Sequence, residues 1–564
     1  MPSADIVTGS HLIGKTLRAA GVSTVFTLAG DHNLPLLDAL ADMDFRIIDT
    51  RHEAAAVHMA DAWARVTGEP GVVTYTTPGF ANGIPGLSSA MYSEAPLLSI
   101  SGSAPLSELG QGAMQEIDQI GMAKPVTKSA AMVTDGRSIP GMIAEALRTA
   151  YSGRRGPVHV TVPIDIQERE VSQSEVKIPQ LHEYRPDAIT SPTDEEVTQA
   201  VALLKSAERP LIIAGSAASY SGSGQTLQRF IETTRIPLMT ESSARGLVSD
   251  EHRYSMGFYD NGLNRAARKL READVILLLG MKQDIIIGYT RPPTVSPDAK
   301  IVQVDPSPRE IGRNREVAVG IVGDVQDVTA RLTAEAAKHT WRDLPWLDEL
   351  REARAEQVAE MEVLAQPSVP IHALHVHKTL LSLIDGGDFL VFDGGDFCHW
   401  GRAYLPARTP RTWSYFSGLG MLGTAISTAM AAKLAHPDRR AIVISGDGAF
   451  GFNALEYDTA VRHGIAITTV LGNDASWGID RQIQLQVYGN PVATDLLPVR
   501  YDHLVESLGG EGLYVQDPAD LPDALDRAVN CGRPSLVNIE VQRAISPRGQ
   551  AAVDRWKSAV PQPF

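Results

Sequence analysis

Cysteine is nearly absent: the 564 residues hold only Cys398 and Cys531. That count excludes a disulfide framework and a cysteine-rich zinc site. No apolar run reaches the ~18 residues of a membrane-spanning helix. The opening MPSADIVTGSHLIGKTL lacks the apolar core of a secretory signal. Positive charge is in deficit, 51 Lys+Arg against 67 Asp+Glu, a net charge of −16. Such a balance argues against a general nucleic-acid binder, which needs a basic face, and against docking on an anionic membrane. What is present, 43% hydrophobic and 21% charged residues, is the composition of a soluble globular protein. The expectation is a cytoplasmic enzyme, and at roughly 150 residues per domain its length suggests three or four units.

Short apolar runs alternate with helical patterns. Strands are expected at 25–29, 46–49, 72–76, 97–101 and 157–162, with a helix over 53–67. This alternation predicts βαβ units and a parallel sheet covered on both faces. A polar, proline-containing stretch at 179–194 reads as a linker. A second block carries strands at 208–216, 275–280 and 301–305. A charged helix over 344–365 and the segment QPSVP (366–370) lead into a third block, with strands at 389–392, 441–445, 466–471 and 536–541. The expected fold is α/β, three doubly wound parallel-sheet domains at 1–180, 190–335 and 368–545, and a weakly patterned tail at 546–564. Ligands of such sheets bind beyond the carboxyl ends of the strands.

The most informative stretch is AIVISGDGAFGFNALEYDTAVRHGIAITTVLGNDASWG (441–478). It reads strand, GDG turn, helix, strand, polar turn. Asp447 follows the first strand; Asn473 and Asp474 follow the second, with 26 residues from Asp447 to Asn473. Parallel strand ends of this kind can lie side by side and offer hard oxygen ligands to Mg²⁺. Gly446 and Gly448 allow close backbone approach, and a helix N-terminus favours anions. The motif therefore describes a cradle for a Mg-bound diphosphate, although a GDG triplet by itself is only a turn. A second stretch, RIIDTRHEAAAVHMADAWARVTG (46–68), places Glu53 after a strand and at the head of an Ala-rich helix. Thr50 and Glu53 also have the T-x-x-E spacing of a capping box.

Together the two stretches resemble the thiamine diphosphate (ThDP)-dependent enzymes, and the acetolactate synthase-like proteins and benzaldehyde lyase in particular. IIDTRHEAAA (47–56) and GAMQEIDQIGMAKPVTK (112–128) carry that likeness. The resemblance spans nearly the whole chain: a pyrimidine-binding domain, a central Rossmann-like domain and a diphosphate-binding domain. It implies Mg²⁺ bound by Asp447, Asp474 and the Ser476 carbonyl, with Gly446, Gly448, Ala449, Asn473, Trp477 and Gly478 around the diphosphate. Asp474 stands where asparagine is commoner, which adds a negative charge. Glu53 is implied as the activator that hydrogen-bonds N1′ of the aminopyrimidine. TTPGFANG (76–83) resembles the loop against the pyrimidine, with Pro78 and Asn82 at the matching places. SGLGMLG (417–423) resembles the segment that bends the cofactor, with Leu422 between its rings and the Gly420 carbonyl on its amino group; Leu422 reads equally as core. DGGDFCHWG (393–401) resembles the second diphosphate loop, through Gly395, Asp396 and Phe397. In this family the cofactor lies between two subunits, which implies a homodimer at minimum and a homotetramer as the expected assembly.

The reaction implied makes or breaks a C–C bond next to a carbonyl, with ThDP as electron sink. His32 in AGDHN and Gln115 in MQEID match pocket residues of the family; as bare sequence they read as a cap or loop residue and a solvated glutamine. Ile479 and Ile483 match the substrate pocket and read otherwise as helix core. Ile483 stands where acetolactate synthases carry a tryptophan, which tells against acetolactate formation as such. Small 2-keto or 2-hydroxy compounds are the expected substrates. A 2-hydroxyacyl-CoA lyase or oxalyl-CoA decarboxylase type stays open, and so does a non-catalytic ThDP-fold binding protein. Residues 190–335 contain no GxGxxG, so FAD or CoA/ADP in the central domain is undecided.

Overall fold

The computed structural model describes residues 5–184, 190–416 and 418–559. Three six-stranded sheets, each entirely parallel, organise the chain. Helices flank each of them, the α/β architecture of three parallel-sheet domains. The contacts divide the described residues into two units: 5–184 with 418–437 and 455–465, and 190–416 with 438–454 and 466–559.

The first unit holds one sheet, in the spatial order Arg46–Asp49, Thr24–Thr27, Gly71–Tyr75, Leu97–Ser103, Val158–Pro163, Ala130–Met132. Strand Leu97–Ser103 is buried throughout, as a central strand of a parallel sheet must be. Helix Glu53–Thr67 is dominated by buried alanines, and small side chains let helices Thr77–Ser93 and Ala425–Ala435 lie against it. The expected linker carries a short helix, Leu181–Tyr184, and the buried Tyr184 hydroxyl donates to the Thr16 carbonyl at 3.2 Å. The remainder of that linker, 185–189, lies outside the described residues.

The second unit holds two sheets. In one, the order is Ser255–Phe258, Leu238–Thr240, Pro210–Ala214, Val275–Leu279, Lys300–Asp305, Val319–Val322. Numbered along the chain this is 3-2-1-4-5-6, the order of dinucleotide-binding sheets. In the other, Trp413–Tyr415, Phe389–Phe392, Ala441–Gly446, Ile467–Asn473, Ser535–Glu540 and Glu511–Val515 follow the order 2-1-3-4-6-5, which is also that of the first unit's sheet. In both 2-1-3-4-6-5 sheets the order reverses between strands one and three, the place where such sheets bind ligands.

The weakly patterned tail has regular structure. It forms helix Pro547–Ala559, with Val553 fully buried and the Arg548 guanidinium on Asp260 at 2.8 Å. Its apolar patterning is weak, since among the apolar side chains described in it only Val553 is buried.

Candidate functional site

In the first unit Glu53 is buried at the first position of its helix. The capping box does not form. His52 is the N-cap, its Nδ1 accepting from the Ala54 amide at 3.1 Å, while the Thr50 hydroxyl donates to the His52 carbonyl at 2.8 Å. Glu53 is thus released from capping, and its Oε2 accepts from the Asn82 amide at 3.0 Å. Asn82 sits on helix Thr77–Ser93, where Pro78 occupies the first turn; both are exposed. Gly79 makes the approach possible, since a Cβ there would stand 2.9 Å from both Cγ and Oε1 of Glu53. The turn before Glu53 is held by a residue the sequence did not single out. Buried Glu456 accepts the backbone amides of Arg51 and His52, each at 3.1 Å. No local signal marks Glu456, whose partners lie some four hundred residues away in the chain.

A second cluster lies where this sheet's order reverses. His32 is buried in the turn after Thr24–Thr27, and its Nδ1 has no partner among the described residues. Burial holds its imidazole below the ordinary histidine range, against the opposing charges of Asp31 and Glu108. Thr76, directly after Gly71–Tyr75, donates to the Gln115 side-chain carbonyl at 3.1 Å. Gly30 abuts Thr76, with space for no Cβ, and Gly102 abuts the His32 carbonyl in the same way. The segment with Gly420 and Leu422 also belongs to this unit. Gly420 has φ +75° and is exposed; Leu422 is half-buried, and Ser417 lies outside the described residues.

In the second unit strands Ala441–Gly446 and Ile467–Asn473 are adjacent, with Gly446 opposite Gly472. Asp447 and Asp474, the residues that follow, are therefore neighbours. Burial pushes the Asp447 carboxyl up to about 7, Asp474 adds to the shift, and the backbone amides of Gly448 and Asp474 oppose it. Asp447 Oδ2 is buried with no hydrogen-bond partner among the described residues. Burial likewise raises Asp474, whose Oδ1 accepts from the Ser476 hydroxyl at 2.9 Å. Two adjacent carboxylates, both raised by burial and Asp447 further raised by Asp474, one with an orphaned oxygen, fit a divalent cation, which relieves both. Among the described residues no group of three or more His, Cys, Asp or Glu is arranged to hold a metal ion by itself, so backbone, water or ligand oxygens would complete the shell.

Around this pair Gly448 makes room for Trp477, whose ring would lie 2.9 Å from a Cβ at that position. Ala449 is buried under the turn, Gly446 leaves the backbone open, and a Cβ at Gly478 would lie 3.3 Å from Asp396 Oδ2. Asn473 differs from the others: its amide is spent on the Val499 carbonyl at 3.0 Å and on Asn538 at 3.2 Å, so it fixes the turn from inside. Gly395, φ +99°, caps helix Asp396–Tyr404. Asp396 is raised to about 6 by burial and accepts the Ser546 amide at 2.8 Å. Phe397 packs into the core against Gly472 and His377. Ile479 and Ile483 are half-buried on helix Gly478–Ile483, which runs on into a π-helical turn, Gln484–Tyr488. Turns of this type recur at functional sites.

Family models match along the chain: "Thiamine pyrophosphate enzyme, N-terminal TPP binding domain" at 7–122, the central domain at 197–332, and "C-terminal TPP binding domain" at 393–539. The chain belongs to the thiamine pyrophosphate enzyme family and is a ThDP-dependent enzyme of the acetolactate synthase and 2-hydroxyacyl-CoA lyase type. It is 34% identical to the acetolactate synthase large subunit IlvG of Mycobacterium tuberculosis, covering 95% of this chain and 96% of that protein. It is 30% identical to the 2-hydroxyacyl-CoA lyase of Arabidopsis thaliana over the same shares, and 31% identical to the human 2-hydroxyacyl-CoA lyase 2 over 98% and 92%. No helix among the described residues is long and apolar enough to cross a membrane.

Proposed function

We propose that the chain is a Mg²⁺-dependent enzyme that makes or breaks the C–C bond beside the carbonyl of small aliphatic 2-keto or 2-hydroxy compounds, working in the cytoplasm as a homodimer at minimum and as a homotetramer by expectation. The observation that carries this reading is Glu53: a buried carboxyl freed from helix capping and oriented by Asn82. When bound, ThDP supplies an electron sink for the reacting carbonyl carbon. Glu53 holds and returns the proton that activation of the cofactor requires. Asp447, Asp474 and the Ser476 carbonyl hold Mg²⁺, and Gly446, Gly448 and Gly395 let backbone approach the diphosphate. Pro78, Asn82, Gly420 and Leu422 lie along the pyrimidine side. His32 and Gln115 orient the donor, and Ile479 and Ile483 form its wall. Their β-branched side chains are stiff at χ1, so the wall does not swing aside.

A thioester reading has support of its own. A cavity of about 430 Å³ in the second unit is lined by Arg268 and Arg271 together with Asn261, Thr294 and Asp554 of the C-terminal helix. Two exposed arginines suit a phosphorylated substrate. Native mass spectrometry for ThDP and Mg²⁺, followed by a donor panel of pyruvate, 2-ketobutyrate, benzoylformate, benzoin and a short 2-hydroxyacyl-CoA, separates the readings. Turnover of the small keto acids supports the first, and Ile479→Ala should then admit bulkier donors by ~1–3 kcal/mol of discrimination. Activity confined to the thioester makes the arginine-lined cavity the second substrate site. Fast benzoin cleavage refutes the small-pocket reading.

A further inference from the structure

Beneath the first unit's switch point runs a chain of buried polar side chains that the proposed chemistry does not use. Tyr75 Oη lies 2.6 Å from Ser99 Oγ, Ser99 Oγ 2.9 Å from His159 Nδ1, and His159 Nε2 2.9 Å from Thr161 Oγ1. Thr161 then donates to Gln119 Oε1 at 2.9 Å, and Gln119 Nε2 donates to Thr77 Oγ1 at 2.8 Å and to the Gly102 carbonyl at 3.0 Å. None of the six side chains is more than 2% exposed, so water does not stand in for a missing partner.

The direction of every bond follows from one fixed point. The Gly102 carbonyl can only accept, so the amide nitrogen of Gln119 faces it and Oε1 faces Thr161. Oε1 can only accept, so the Thr161 hydroxyl donates to it and must itself accept from His159 Nε2–H. The neutral imidazole therefore carries its proton on Nε2, and Nδ1 accepts from Ser99, which in turn accepts from Tyr75. Burial pushes His159 down to about 3, which keeps it neutral and the pattern unbroken over the working range.

Both ends touch the candidate site. Tyr75 backs Gly79, the glycine against which Glu53 lies. Gln119 opens the helix directly after the loop that carries Gln115, which is held at φ +59°. Its second anchor, Gly102, presses on the His32 carbonyl.

We propose that His159, Thr161 and Gln119 form a one-directional buried network that positions Gln115 and His32 for the donor. They are positioning residues, and the inference rests on the reading that Gln115 and His32 bind the donor.

The test uses Thr161→Val, Thr161→Ser, Gln119→Met and Gln115→Ala in the full-length holoenzyme, with the donor that the wild type turns over fastest. Thr161→Val should raise the donor KM about 10-fold, the size of one misplaced polar contact, with kcat within about twofold and ThDP retained. Thr161→Ser should restore it, Gln119→Met should match Thr161→Val, and the Gln115→Ala/Thr161→Val double variant should be no worse than Gln115→Ala. A loss in Gln115→Ala with none in Thr161→Val, or additive losses in the double variant, overturns the network. No loss in Gln115→Ala overturns the donor reading itself. Should the variants fail to fold, neutron diffraction of the wild type decides: deuterium on His159 Nε2 supports the inference, and deuterium on Nδ1 overturns it.

Discussion

Adding one methyl group at Gly79 separates local helix propensity from the geometry of the site. Gly79 lies in the first turn of Thr77–Ser93, where alanine is the better helix former by about 1 kcal/mol. On propensity alone Gly79→Ala stabilises. Yet a Cβ there would lie 2.9 Å from Glu53 Cγ, Glu53 Oε1 and Tyr75 Cβ. Ordinary carbon contacts fall at ~3.5–4.0 Å, so the neighbours must give by roughly 0.6–1 Å. Tyr75 cannot yield: it is fully buried on a central strand and bonded to Ser99. Glu53 must move, and its 3.0 Å contact with Asn82 stretches beyond hydrogen-bonding range. Overpacking costs about 1–3 kcal/mol, which cancels or outweighs the propensity gain. Displacement of a reacting group by about 1 Å lowers turnover on the order of 100-fold. Steady-state turnover, a thermal melt and native mass spectrometry for ThDP read the three effects separately. A variant that melts higher than wild type and turns over normally would refute the placement of Glu53.

Glu53→Gln keeps the Asn82 contact but cannot cycle a proton; ThDP should stay bound while turnover falls at least ~100-fold, and wild-type turnover would sink the assignment. Asp447→Ala should abolish Mg²⁺-dependent ThDP retention, whereas Asp474→Asn should retain ThDP with weaker Mg²⁺ affinity because one charge is lost. Titration of the apo-protein with Mg²⁺ checks both, and equal affinity in Asp474→Asn and wild type contradicts the second. The pH dependence has a definite sign. Asp447, raised to about 7, and Asp396, raised to about 6, bind protons in the folded state that they lose on unfolding above the usual carboxylate range. Their contribution to stability is complete below about pH 4 and disappears as pH rises through 6 to 7. The neutral histidines His58 and His377, held down to about 4, act in the opposite sense below their ordinary value. The clean observable is therefore the rise in melting temperature on adding Mg²⁺ with ThDP, which should grow between pH 5.5 and 7.5 as about one carboxyl proton stops competing; a pH-independent rise tells against cation binding at this pair.

Much of this architecture is legible in the sequence where a strand is buried on both faces. Val275–Leu279 and Ala441–Gly446 are continuous apolar runs that end in a Gly or Gly-Asp turn. Ala130–Met132, Trp413–Tyr415 and Glu511–Val515 escape the pattern for the converse reason: each is a sheet edge, short and only partly buried. The candidate site divides the same way. Asp447, Asp474 and Glu53 stand at strand ends and announce themselves by position. Glu456, His159 and Gln119 act through partners brought near only by folding, and each reads locally as an ordinary helix or strand residue. Thr50 shows the opposite error, a local capping pattern overridden because its hydroxyl has better partners in the His52 and Thr27 carbonyls.

The two sheets of order 2-1-3-4-6-5 explain why one chain needs two such crevices. In each, strand one ends in a glycine-containing turn, Gly30 in the first and Gly395 in the third domain, and strand three ends in a polar residue, Thr76 or Asp447. The geometry is shared and the electrostatics are not. The first crevice gathers neutral donors and acceptors: His32, kept uncharged by burial, with Thr76 and Gln115. The third gathers Asp396, Asp447 and Asp474, all raised chiefly by burial, with the charge of Asp474 adding to the shifts of the other two. Only a cation makes the acidic crevice hospitable to a diphosphate, while the first crevice meets a donor with neutral hydrogen-bonding side chains, although Asp31 and Glu108 act on His32 there. In the proposed reading this separation assigns cofactor charge to one sheet and donor recognition to the other.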